Sequence, residues 1–361
     1  MNDILQKELV ELTGCFVPHP ALMAAHKKVR QALMRPQGYG VVLMVGPPGA
    51  GKTALAVACR VNDPSASDSP MGLPCAAGAI PLVSVEARTG KNFLSRWKGL
   101  LLDILAITNP PLEDAATGQN SGSIYDSYSI ARLESAAIKS LKLRKTVGLL
   151  VDECQDLEPF DSEEDSVQMA KSLKHLGSVT SMVLVLFGSY TMLRFLNFEA
   201  QLSRRCSVVE LPRYDITKPV DQANFLRVVS TFCRKAPTLL PYDQLVKEIP
   251  TLYTGCAGGT GNLRLWLLRA AGIAVDQSVS VTKSHLLQEK MVDDAIRNNF
   301  AVAQSGEAMM ASLHSGFDAL VAAVFAATPF KASTTIQAMS GRRRLKPGQR
   351  SLQRDAVGEA A

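Results

Sequence analysis

Eight consecutive residues, Gly46-Pro47-Pro48-Gly49-Ala50-Gly51-Lys52-Thr53, have the composition of a phosphate cradle. They follow the spacing G-x-x-x-x-G-K-[ST], in which glycines let the backbone curl until successive N–H groups point inward at phosphate oxygens. An apolar run from Tyr39 to Val45 precedes them and reads as a buried parallel strand. The run from Ala54 to Cys59 follows and reads as a helix. The helix N-terminus adds partial positive charge, Lys52 can reach the β- and γ-phosphates, and Thr53 can offer its hydroxyl to a magnesium ion. The expected ligand is a nucleoside triphosphate, ATP with Mg2+, held by residues 46–53 and Ala54.

Four further groups fit the same chemistry. Leu149-Leu150-Val151-Asp152-Glu153 is an apolar strand ending in two acids. Asp152 would hold magnesium through water, and Glu153 would polarise the attacking water. Ser189 ends the next apolar run, where a small hydroxyl can touch the γ-phosphate or the lytic water. Arg204 and Arg205 stand before the last short strand; either could project into a neighbouring subunit's nucleotide and stabilise charge on the transferring phosphoryl group. Gly258-Gly259-Thr260-Gly261-Asn262-Leu263-Arg264 opens a helix, with Asn262 as a possible cap and Arg264 in the expected first turn. An arginine there opposes the helix dipole and needs an anionic partner, for which ATP phosphate is suited.

These residues need a scaffold that brings strand ends together. The chain alternates apolar strands and amphipathic helices from residue 39, which predicts an α/β fold with a parallel five-stranded sheet flanked by helices. Strands are expected at 80–85, 147–151, 182–187 and 208–211, helices at 93–105 and 125–145, and loops at 64–79 and 108–123. From Pro219 the pattern turns helical, at 219–234, 242–249, 262–275 and 283–299, and predicts a small α-helical lid. The resulting division is an N-terminal extension (1–38), a nucleotide-binding core (39–214), the lid (215–300), and a C-terminal docking helix with a basic disordered tail (301–361). The apolar face of that last helix comprises Phe317, Leu320, Val321, Val324 and Phe325.

Composition limits the alternatives. The chain has 361 residues, 47% hydrophobic and 20% charged, enough to bury a sizeable core. Its seven cysteines form no C-x-x-C pair, which points to a reducing, cytoplasmic setting and away from a zinc ribbon. The N-terminus lacks the pattern of a signal peptide, and no apolar stretch is long enough to span a bilayer, so no membrane role is expected. Of the net charge of +6, residues 331–361 contribute +5 and the remainder +1. Any nucleic-acid contact by the body must therefore use a local patch.

The order of phosphate loop, Asp-Glu strand end, polar strand end, arginine pair and lid arginine resembles the AAA+ ATPase superfamily over about residues 15–300. Phe187-Gly188-Ser189-Tyr190-Thr191-Met192-Leu193, Gln201-Leu202-Ser203-Arg204-Arg205 and Leu211-Pro212-Arg213-Tyr214 look like the TnsC/TniB family of transposition ATPases, as does the leader Phe16-Val17-Pro18-His19-Pro20. Ser189 replaces that family's usual threonine and Leu211 an aromatic. The resemblance implies an ATP-dependent regulator of DNA transposition. Such a protein assembles on double-stranded DNA as a homo-oligomeric ring or helical filament, receives a target selector of the TniQ type, recruits the transposase, and disassembles on hydrolysis.

The loop of Arg88, Thr89 and Lys91, which faces the pore in related assemblies, is the expected DNA contact, with Lys98 and Arg132 as weaker candidates. Other readings stay open: a replication initiator, a helicase- or clamp-loading ATPase, or a nucleotide-gated signalling switch with protein partners only.

Overall fold

The computed structural model describes residues 2–34, 40–60, 71–73, 76–108, 124–157, 163–198, 204–315 and 321. Residues Met1–Met310 form one compact unit and Ala311–Ala361 a second, of which the end of a helix and Val321 are described. The expected docking face at 317–325 otherwise lies outside the described residues, as do the basic tail and the loop 109–123.

Five strands form one sheet: β1 (Gly40–Val45), β2 (Leu82–Glu86), β3 (Gly148–Asp152), β4 (Val183–Gly188) and β5 (Cys206–Glu210). All pairings are parallel, in the order β2-β3-β4-β1-β5. Hydropathy explains the order. β3 and β4 are buried throughout and β1 nearly so, as central strands covered on both faces must be. The edge strands β2 and β5 carry the partly exposed Ser84, Glu86, Ser207 and Glu210. Alternate residues divide between two cores. Val41, Leu43, Val45, Leu149, Val151, Leu184 and Leu186 face one, and Val42, Met44, Leu150, Val185 and Phe187 the other.

Helices cover both faces. α4 (Phe93–Thr108), α5 (Ile130–Leu143) and α6 (Glu163–Thr180) pack on the first core. α2 (Pro20–Leu33) and α3 (Lys52–Arg60) pack on the second. A short α7 (Phe195–Phe198) follows β4. The helix expected at 125–145 starts later, at Ile130, because Ser129 caps it by accepting from the Arg132 N–H; Ile124–Ser127 forms a separate 3-10 turn.

The lid comprises α8 (Pro219–Lys235), α9 (Tyr242–Leu245), α10 (Ile249–Cys256), α11 (Thr260–Asp276) and α12 (Lys283–Gln288). The continuous helix expected at 283–299 is two. α12 ends before Lys290, and α13 (Asp293–Ser315) then runs well past residue 300, the expected end of the lid. Its Gly306 lies directly against the Tyr190 ring, with no room for a Cβ. Arg213, between β5 and α8, donates from Nε to Glu307 Oε1 at 2.8 Å and from Nη2 to Glu307 Oε2 at 3.1 Å. That paired contact joins the hinge of the lid to α13.

The first helix, α1 (Asn2–Thr13), belongs to the lid core through Leu5 and Leu12. Its Glu8 is buried and accepts from the backbone N–H of Thr238 at 3.0 Å and of Leu239 at 2.7 Å. Those N–H groups lie in the turn after α8, where no helical partner is available. Glu8→Ala should therefore cost about 1–3 kcal/mol, the penalty for leaving the buried Leu239 N–H unpaired. Urea unfolding checks this, and a variant as stable as wild type would remove Glu8 as the anchor of α1.

Candidate functional site

Parallel strands deliver their C-terminal ends to one edge of the sheet, so the phosphate loop after β1 sits beside the acids after β3 and the turn after β4. The loop takes positive φ at Gly49 (73°) and Gly51 (105°), values that glycine adopts without strain. Lys52 Nζ lies inside the curl and donates to the carbonyls of Gly46 at 3.0 Å and Pro47 at 3.1 Å. Burial pulls the Lys52 ammonium below its ordinary pKa, while Glu153 and Asp152 oppose that shift. Both carboxylates are therefore close enough to act on it.

Asp152 ends β3 and is buried. Desolvation raises its pKa, offset by hydrogen bonds from the Glu153 N–H and the Thr53 hydroxyl. Thr53 and Asp152 thus lie close together, and their hard oxygen atoms are donors suited to magnesium beside a triphosphate. Glu153 follows with a left-handed backbone, φ 52°. Its carboxylate accepts from Gln155 Nε2, and Gln155 Oε1 accepts from the Ser189 N–H at 3.1 Å. Ser189 Oγ pairs with Thr191 Oγ1 at 2.7 Å. Lys52, Thr53, Asp152, Glu153 and Ser189 are therefore brought together.

The lid reaches the loop through backbone atoms. The N–H groups of Gly261 and Asn262 donate to Gly49 O at 2.7 and 3.3 Å, and Thr260 Oγ1 donates to Ala50 O at 3.0 Å. A Cβ at Gly261 would stand 2.9 Å from Gly49 O, and one at Gly259 2.8 Å, so both positions need glycine for this approach. α11 starts at Thr260 with Gly259 as its cap, earlier than the sequence reading placed it. Asn262 is thus inside the helix, and Arg264 falls beyond the first three helical positions. The Arg264 guanidinium donates to Thr13 O.

Arg264 also lines a cavity of about 380 Å³ with Cys15, Phe16, His19, Thr53, Val57 and Phe232. The walls come from the N-terminal arm, the start of α3 and the lid, and most of them are apolar. Sequence reasoning missed Cys15, Val57 and Phe232 because they carry no polar signature. The hydrogen bonds fix the tautomer of His19. Thr260 gives its proton to Ala50 O, which can only accept, so its oxygen takes the His19 Nε2–H at 3.4 Å. Nδ1 is then an acceptor for the Tyr214 hydroxyl at 2.8 Å.

Other expected residues lie elsewhere. Arg204 and Arg205 are exposed and precede β5, at the N-terminal end of the strand, where Val41 N–H donates to Arg205 O at 3.0 Å. Their own chain's phosphate loop is at the opposite end of β1, so neither joins this site. Arg88, Thr89 and Lys91 lie on the exposed loop between β2 and α4. Asn92, whose Oδ1 accepts from the Ser95 N–H at 3.0 Å, caps α4. Arg88 pairs with Asp103 of α4, and Arg132 lies over the Tyr128 ring, 3.7 Å from its centroid. Lys98 lies within α4.

A parallel β2-β3-β4-β1-β5 sheet with a phosphate loop, an Asp-Glu strand end and a helical lid is the AAA+ P-loop ATPase fold. Among solved structures, Cdc6p from Pyrobaculum aerophilum is similar with a TM-score of 0.50 and 15% identity, over 78% of this chain and 69% of that one. A Walker-type ATPase of Pyrococcus abyssi aligns with a TM-score of 0.43 and 14% identity, over 80% of this chain and 73% of that one. At such identities the first likeness is one of fold. No curated protein matches the sequence. Residues 121–216 match the TniB family model, "Bacterial TniB protein", in agreement with the TnsC/TniB resemblance of the motifs. The matched segment carries Asp152, Glu153, Ser189 and the arginine pair. Among the described residues no helix is long and apolar enough to cross a membrane.

Burial pushes the His19 pKa down to about 4 from 6.5, so the folded protein holds it neutral. Between these values the unfolded chain binds the extra proton, and stability must rise with pH. Lowering the pH from 7 to 5 should cost about 2 kcal/mol through His19 alone. Chemical denaturation of wild type and His19→Asn at both pH values isolates that amount. An equal change in the two proteins would show that His19 does not carry it.

Proposed function

We propose that this chain is an ATP-dependent, DNA-binding regulator of DNA transposition. It assembles on target DNA, links a target-site selector to the transposase, and disassembles when ATP is hydrolysed. The observation that carries the reading is the coincidence of one segment with two properties. Residues 121–216 match TniB and also contain the acids that approach the phosphate loop and the strand-end serine linked to Glu153 through Gln155.

In this reading residues 46–54 bind the triphosphate and Lys52 neutralises its terminal charge. Thr53 and Asp152 would hold magnesium, which would supply positive charge against the charge developing on the transferring phosphoryl group. Glu153 accepts a proton from the attacking water, and Ser189 contacts the γ-phosphate side. Arg264 supports the phosphates from the lid. Either Arg204 or Arg205 serves the nucleotide of an adjacent copy, which makes nucleotide binding and assembly one event. Arg88, Thr89 and Lys91 supply phosphate contacts to double-stranded DNA. Contacts repeated by every subunit would make a nearly neutral body bind DNA steeply with salt, and only once assembled.

Lys52→Ala should lose ATP binding, measured by titration with a fluorescent analogue. Glu153→Gln should bind ATP normally and form assemblies on duplex DNA that persist, seen by negative-stain microscopy. Single copies under every combination of DNA and nucleotide would refute the assembly, and normal hydrolysis by Glu153→Gln would refute the catalytic assignment.

A further inference from the structure

One side chain joins the acid after β3 to the turn after β4. Gln155 lies in the 3-10 turn Cys154–Leu157, two residues beyond Glu153, and uses both ends of its carboxamide. Nε2 donates to Glu153 Oε2, and Oε1 accepts from the Ser189 N–H at 3.1 Å. A backbone N–H can only donate and a carboxylate can only accept. The two neighbours therefore dictate which end of the amide is oxygen, and a flipped amide would lose both bonds.

The surroundings hold this arrangement. Asp152 Oδ1 accepts from the Glu153 N–H at 2.9 Å, within a backbone turn at φ 52°. A non-glycine residue keeps that conformation only where its environment enforces it. Gly188 provides the space on the other side, since a Cβ there would stand 3.1 Å from Gln155 Oε1 and 2.5 Å from Met192 Cγ. A side chain at 188 would press on the link and on the turn together.

We propose that Gln155 is a positioning residue that ties the Glu153 carboxylate to the turn after β4, so that the location of Ser189 sets the location of the base. This rests on the reading of Glu153 as the base and of Ser189 as the contact on the γ-phosphate side. Binding energy at Ser189 then aligns a group that reacts only when the γ-phosphate is present. Misalignment should lower the rate of the chemical step and leave nucleotide binding nearly intact.

Two variants of similar length separate this role from a purely structural tie. Gln155→Met removes both bonds. Gln155→Glu keeps an acceptor for Ser189 but replaces the donor facing Glu153 with a like charge. Both should bind a fluorescent ATP analogue within about threefold of wild type, yet lose roughly tenfold or more in kcat with KM little changed. Hydrogen exchange should quicken at the Ser189 amide in Gln155→Met and stay slow in Gln155→Glu. A structural tie predicts near wild-type kcat for Gln155→Glu, and that result overturns the proposal, as does wild-type kcat in Gln155→Met. Glu153→Gln, assayed beside them, separates the two levels of inference. If it is inactive while the Gln155 variants hydrolyse normally, only the positioning role falls. If it hydrolyses normally, the reading of Glu153 falls and the role of Gln155 with it.

Discussion

The carbonyl oxygen of Gly49 receives two N–H groups from the start of α11, and the geometry of the site follows from that contact. A phosphate loop turns its N–H groups inward, which sends some of its carbonyls outward. A helix N-terminus has unpaired N–H groups and partial positive charge. The two are complementary, so the lid satisfies the outer surface of the loop while the inner surface stays available to anions. Because the contact is backbone to backbone, it depends on close approach. Gly259 and Gly261 are needed for the space their missing side chains leave beneath Gly49 O.

Three other connections hold the lid to this position, and each uses a buried polar group with a specific partner. Glu8 pins α1 to the turn after α8, and the segment after α1 becomes a wall of the cavity. His19 joins Tyr214 to Thr260, linking the hinge to the loop through the ordered proton chain ending on Ala50 O. Arg213 joins the hinge to α13 through Glu307, and α13 also packs Gly306 on Tyr190, next to Ser189. A shift of the lid would therefore be felt at the N-terminal arm, at the loop and at α13. Buried polar links of this kind are costly when broken singly, which favours motion of the lid as a body.

The parts of this arrangement legible in the sequence were those carried by local spacing. The phosphate loop, Asp152-Glu153 and the parallel sheet follow from glycine pattern and from apolar runs of strand length. Caps and breaks were less legible. Ser129 shortened the helix expected from 125, and the interruption at 289–292 split another, because such ends are set by single hydrogen bonds and tertiary packing. Contacts distant in sequence were invisible. Nothing local indicates that Glu8 meets Thr238, that His19 meets Tyr214, or that Phe232 and Thr53 line one cavity. Gln155 was in plain view two residues from Glu153, but its meaning depends on Ser189, which only the sheet brings near.

The positions of the cations bear on how many copies a complete site needs. Parallel strands put every phosphate-facing group at one edge of the sheet. Arg204 and Arg205 precede β5 and so stand at the other edge, with the length of β5 between them and Glu210, the residue paired with Val45 just before the loop. Reaching their own γ-phosphate would require β5 to leave the sheet, breaking its ladder with β1. An arginine so placed would, in the proposed assembly, serve the phosphate of another copy. In the proposed assembly, topology itself thus divides the work: each copy contributes loop, acids and lid to one nucleotide and an arginine to the next. Under that proposal disassembly on hydrolysis would need no separate device, since loss of the γ-phosphate would remove the charge that the neighbouring copy's arginine faces.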